Sequence, residues 1–105
     1  MEHEWWVKRE LLPLFNQGKD LEVRVWARHF ESVSKGDLIT FNESIRRRVK
    51  AVRRYASFAV MLENEDSRKI LPRATPEKVL TLLTGIYSRH RELLGVFVFE
   101  LEVED

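Results

Sequence analysis

The strongest periodic signal lies near the C-terminus, where Gly95 to Val103 reads GVFVFELEV and places Phe97, Phe99, Leu101 and Val103 on one side of an extended chain. That side is expected to fill the core, at roughly 1.5–3 kcal/mol for each large apolar side chain fully buried. Three further strands are predicted. Leu21 to Trp26 alternates Leu21, Val23 and Val25 with Glu22, Arg24 and Trp26; LITF covers Leu38 to Phe41; the third runs from Ile45 to Tyr55. A Lys35-Gly36-Asp37 turn leads into the second of these, and Asn42 to Ser44 turn out of it. Helical spacing occurs from about Glu4 to Asn16, through Trp5, Leu11, Leu12 and Phe15, with Pro13 bending or ending the helix and Gly18 stopping it. A short helix is predicted from near Ser57 through FAVMLENE. The clearest helix start is Thr75-Pro76-Glu77, an N-cap threonine, a proline at the first helical position and an acid in the first turn, and this helix should reach about Ser88.

Strands interspersed with helices in 105 residues predict an α+β fold, a small and mostly antiparallel sheet that curls into a barrel with flanking helices and so hides its edges. At 44% hydrophobic residues the chain suits one domain over residues 1–105. With no cysteine, a disulfide scaffold, a thiol nucleophile and a thiolate metal site are excluded. His3, His29 and His90 share no ligand spacing with the acids, so neither a metal nor another cofactor is expected. No apolar run approaches the roughly 20 residues of a membrane span, and the N-terminus is too charged for a secretory signal, which predicts a soluble cytoplasmic protein without a membrane partner.

Net charge is only +1, but the charges are segregated. IRRRVKAVRRY, from Ile45 to Tyr55, holds Arg46, Arg47, Arg48, Lys50, Arg53 and Arg54 and no acid, whereas ELEVED carries Glu100, Glu102, Glu104 and Asp105. Strict alternation puts Arg46, Arg48, Lys50 and Arg54 on one face, with Val52 interrupting. Such a stripe is a nucleic-acid footprint unless the acidic last strand lies beside it and neutralises it. The strand at Leu21 adds a second candidate. Lys19 follows a glycine, where the chain turns sharply and offers amides beside an ammonium to a phosphate. Arg24 presents a planar fork of donors, Trp26 a stacking face, and Glu22 a carboxylate that orients the guanidinium or accepts from a base amino group. The same residues also fit a solvated Glu22–Arg24 pair beside a packed tryptophan.

The order Gly18-Lys19, Glu22-Val23-Arg24, Lys35-Gly36-Asp37 with Ile39 and Phe41, Tyr55, Ser57 and Phe58, Ile86-Tyr87 and Gly95-Val96 resembles the ASCH domain, a branch of the PUA-like superfamily. The likeness covers about Leu12 to Val103. It implies a small β-barrel with helices around its rim, and a cleft walled by the Gly-Lys turn and the Glu-x-Arg strand in which RNA binds. On that reading Lys19, Glu22, Arg24 and Trp26 hold a nucleotide or a single-stranded RNA segment, and Arg46, Arg48, Lys50 and Arg54 steer it in.

The resemblance also carries an enzymatic alternative, because one branch of the family hydrolyses an acetylated cytidine nucleoside with a lysine, a threonine and a glutamate. Lys19 matches the lysine, but Glu22 stands at the threonine position, and Pro72 and Arg73 fall at the glutamate, leaving Glu63 or Glu65 to substitute. A third class is protein interaction. Trp5 and Trp6 are adjacent and, on a helix, point about 100 degrees apart, so both cannot bury in one stripe: one caps the core while the other rests under a loop or meets a partner or a second copy in a homodimer, the alternative being that both pack within the domain.

Overall fold

The computed structural model describes residues 1–104. Its elements in chain order are β1 (Glu2–Trp5), a 3-10 helix (Arg9–Asn16), β2 (Leu21–Val25), a second 3-10 helix (Arg28–Ser32), β3 (Leu38–Phe41), β4 (Ile45–Tyr55), α1 (Phe58–Asn64), α2 (Ser67–Ile70), α3 (Pro76–Ile86), α4 (Arg89–Glu92) and β5 (Val96–Val103). The five strands form one mixed sheet in the order β1-β3-β4-β5-β2, parallel between β1 and β3 and antiparallel elsewhere. The fold is thus α+β, a curled half-barrel flanked by helices.

The strand β5 lies inside the sheet, between β4 and the edge strand β2. β5 pairs with β4 on one side and β2 on the other, and Val96, Phe97, Val98, Phe99 and Leu101 are all buried. Both of its faces therefore carry core. Phe97, Phe99 and Leu101 join Trp5, Phe15, Phe30, Ile39, Phe41 and Val49 on one face, while Val96 and Val98 join Leu21, Val23, Val25 and the helical residues Phe58, Met61, Ile70, Val79 and Leu83 on the other. The period-two reading placed the first set correctly and missed that the second set is equally covered. Val103, expected inside, is 66% exposed because the strand has run past the core there.

Side chains close the helix ends. The Thr75 hydroxyl accepts from the Lys78 N–H, with Pro76 at the first helical position, and Ser57 accepts from the Val60 N–H to start α1. The buried Glu92 reaches across to α1, where its Oε2 accepts from the Phe58 N–H at 2.8 Å. A carboxylate there satisfies a free amide and complements the positive end of the helix.

The N-terminal segment departs from expectation. Residues 2–5 form a strand beside β3, and only Arg9–Asn16 is helical, as a 3-10 turn in which Pro13 is accommodated. On an extended chain adjacent residues face opposite ways. Trp5 accordingly enters the core at 6% exposure, and Trp6 points outward at 61%.

The basic strand departs as well. Its pairing with β5 shifts register between Val49 and Ala51, so Lys50 is an inserted residue and the alternation reverses beyond it. Val49 and Val52 consequently share the core face, and the expected stripe is divided. Arg46 and Arg48 lie on one face of the sheet, while Arg54 lies on the other with Val49, Val52 and Phe97.

Candidate functional site

Gly18 begins the site. Its φ of +103° lies in the region that glycine enters without penalty, and the reversal there returns Lys19 toward the molecule. Lys19 is 6% exposed, and its Nζ donates to the Leu21 carbonyl at 2.8 Å and the Ile70 carbonyl at 2.9 Å and lies 3.1 Å from Glu22 Oε1. Three protons thus meet three acceptors. Across the carboxylate, Arg24 Nε and Nη2 both lie 2.7 Å from Glu22 Oε2, and Nη2 also donates to the Trp6 carbonyl at 3.1 Å. The guanidinium sits 5.2 Å from the centre of the Trp5 ring.

Two cations therefore bracket one buried carboxylate. Burial raises the Glu22 carboxyl, but the charges of Lys19 and Arg24 and their hydrogen bonds outweigh it and hold the group below its ordinary value. The trio keeps a net positive charge. Arg24 is its outer member, with its side chain 18% exposed against 7% for the other two, and its Nη1 makes no hydrogen bond among the described residues.

These residues line an open cleft of about 190 Å³. Lys19, Glu22, Val23 and Arg24 form its floor. Trp6, Val7, Lys8 and Leu11 make one wall, and Ile70 and Leu71, with Leu82, Leu83, Ile86 and Tyr87 of α3 and its C-cap, make the other. The first wall is clamped from the β3–β4 turn, where Asn42 accepts from the Val7 N–H at 2.9 Å and donates to the Val7 carbonyl at 3.0 Å. An apolar slot with a charged floor and a tryptophan at its mouth suits a flat, partly polar ligand.

The other residues singled out in the sequence lie away from this cleft. Trp26 is half-buried against the core, and its Nε1 donates to Glu31 Oε1 at 2.7 Å. The aromatic place expected for it is filled by Trp6. The signal for that was the Trp5-Trp6 pair itself, since an extended chain turns one of two adjacent residues outward. Arg46 pairs with Glu2 at 2.9 Å and Glu104 at 3.3 Å, Arg48 lies 3.9 Å from Glu104, and Lys50 lies 3.6 Å from Glu100. Arg54 has no carboxylate beside it among the described residues and stacks 4.6 Å from the centre of the Phe97 ring. Most of the basic strand is thus offset by acids.

Neither substitute for the missing catalytic glutamate reaches the cleft. Glu65 accepts from Arg53 Nε at 2.6 Å and from the Tyr55 hydroxyl at 2.6 Å on the helix-covered face, and Glu63 is exposed. Among the described residues, Glu22 is the only carboxylate lining the cleft. No group of three or more histidines or acids among the described residues is placed to hold a metal ion, and no helix among them is long and apolar enough to cross a membrane.

A PUA-like half-barrel whose Gly-Lys turn and Glu-x-Arg strand open onto a cleft defines a class, and the comparison with known families agrees with it: the ASCH domain family matches residues 14–104, and the chain belongs to that family. Two solved structures are similar along almost the whole length. The crystal structure of hypothetical protein PH0355 is 30% identical, with a TM-score of 0.89 over 97% of this chain and 98% of that one. The solution NMR structure of protein PF0455 from Pyrococcus furiosus is 32% identical, with a TM-score of 0.81 over 97% of this chain and 96% of that one. No curated protein matches the sequence.

Proposed function

We propose that residues 1–105 form a single RNA-binding domain, working in the cytoplasm, that takes one nucleotide of a single-stranded segment into the cleft between β2 and α3. The observation that carries this reading is the convergence of Lys19, Glu22 and Arg24 on an open apolar slot with an exposed tryptophan at its mouth. Membership of a PUA-like family supports it. Arg24 contacts the RNA through its free Nη1, and Lys8 lies at the same wall for the backbone phosphate. Trp6 stacks on the base in the place first assigned to Trp26. Lys19 and Glu22 act from beneath, as the ions that fix Arg24. Arg54, without an acid beside it among the described residues, and the partly offset Arg46, Arg48 and Lys50 supply the field that steers the strand in.

The test is fluorescence anisotropy with a labelled single-stranded RNA at low and moderate salt. Binding is expected to weaken as salt rises, as phosphate contacts require. Trp6→Ala should cost about tenfold, from a stacking contribution of roughly 1–3 kcal/mol per base. Arg24→Ala, with folding confirmed by circular dichroism, should cost at least as much. Undetectable binding at low salt, or binding that both variants retain in full, overturns the reading.

A further inference from the structure

β2 is an edge strand, and its hydrogen-bond phase decides what it shows to the cleft. In an antiparallel ladder, residues that exchange both main-chain bonds with the neighbour alternate with residues whose N–H and C=O point away from it. The phase is fixed at both ends of β2, where the Trp26 N–H donates to the Gly95 carbonyl at 2.8 Å and the Leu101 N–H donates to the Asp20 carbonyl at 2.8 Å. With Glu22 opposite Phe99 and Arg24 opposite Phe97, residues 20, 22, 24 and 26 bond inward to β5. The main-chain groups of Leu21, Val23 and Val25 therefore face outward. Lys19 already occupies the Leu21 carbonyl, and Val25 does not line the cleft. Val23 does line it, and neither its N–H nor its C=O has a partner among the described residues.

We propose that the main chain of Val23 is a base-reading element: its N–H donates to, and its C=O accepts from, the edge of a nucleobase inserted flat between the Trp6–Leu11 wall and α3. This rests on the RNA reading above and names what that site recognises, a planar heterocycle carrying a donor beside an acceptor. An added peptide strand is the other natural occupant of a free sheet edge, but it needs several consecutive outward residues. Only Val23 offers free main-chain groups to the cleft, because Lys19 occupies the Leu21 carbonyl before it and Val25 lies outside the cleft lining. The space of about 190 Å³ is also smaller than the roughly 300–1,000 Å³ of pockets for drug-sized ligands, which leaves room for a ring system with its ribose and phosphate outside. Two mostly apolar walls, with the free main-chain pair of Val23 beside the charged trio at the floor, match that shape. Since every base offers a donor next to an acceptor on some edge, the contact selects for an unpaired base rather than for one sequence.

The experiment titrates uniformly ¹⁵N-labelled protein with each of the four nucleoside 5′-monophosphates, with ribose 5-phosphate, and with a hexameric single-stranded RNA. Expected are a downfield shift and slowed exchange of the Val23 amide with at least one nucleotide and with the RNA, and neither with ribose 5-phosphate. Val23→Pro removes the donor without breaking a ladder bond, since proline is tolerated where the N–H points off an edge strand. It should weaken nucleotide binding about tenfold, the loss of one hydrogen bond, while Val25→Pro stays within about twofold. Where a proline variant fails to fold, the wild-type Val23 amide decides alone. RNA binding with an unmoved Val23 amide overturns the base-reading role and leaves the RNA reading standing. A Val23 shift of equal size with ribose 5-phosphate assigns the cleft to phosphate and overturns it too. No binding of the hexamer overturns both.

Discussion

Replacing Lys19 by methionine separates the two jobs that its position in a Gly-Lys turn suggests. Methionine keeps most of the length of the side chain and removes the ammonium. Glu22, 5% exposed, is then left with Arg24 alone, and the Leu21 and Ile70 carbonyls lose a donor that lay within 2.9 Å. Removing one partner of a buried ion pair costs about 3–5 kcal/mol, a range that already includes much of the unmet hydrogen bonding. For a domain near 100 residues, that corresponds to a fall in melting temperature of roughly 15–30 °C. Chemical denaturation followed by circular dichroism measures the free energy directly. Glu22→Gln and the double variant complete a cycle whose coupling should be on the order of 1–3 kcal/mol. A lysine that served mainly as a phosphate contact would show the reverse pattern, with stability changed by less than about 1 kcal/mol and RNA affinity lost. That result would refute the structural role argued for Lys19.

Three other substitutions test separate parts of the fold. Glu43 holds a positive φ of 58° in the turn between β3 and β4, so Glu43→Gly should raise stability by about 1 kcal/mol in the same denaturation assay. Asp37 is held at about 2, from an ordinary 3.8, first by its hydrogen bond with His3 and then by the Ser34 N–H and the terminal ammonium. A depressed carboxyl stabilises fully above its unfolded value and loses that contribution as pH falls through the folded one. Roughly 2 kcal/mol should therefore vanish between about pH 4 and pH 2, and Asp37→Asn should flatten stability across that window. Arg46→Ala, at a pair with Glu2 that lies in solvent, should cost under about 1 kcal/mol, with the difference shrinking in high salt.

How much of this was legible in the sequence depended on the range of the interactions. Strands β2 to β5 and helix α3 were readable because each declares itself through local alternation or a local cap, as Thr75 and Pro76 do. The strand Glu2–Trp5 was not. Its EHEW has no apolar alternation, and it is extended only because β3 lies alongside in parallel register. The inserted Lys50 misled for a related reason: a period of two was carried through a residue that the ladder skips, although Val52 standing among the arginines marked the place. At the candidate site, Lys19, Glu22 and Arg24 stood out through the family resemblance added to their type and spacing, and the three line one cleft. The burial of Lys19 was hidden, because one of its acceptors, the Ile70 carbonyl, is 51 residues away. The choice between Trp6 and Trp26 likewise turned on tertiary packing, since both follow a strand by one position.

β5 is the strand that ties β2 to the rest of the sheet. Until Val96–Val103 has been synthesised, β2 has no ladder partner at all, and β4 has only β3. A chain halted before Val96 therefore carries unpaired margins on both β2 and β4, which makes it a substrate for chaperones or proteases.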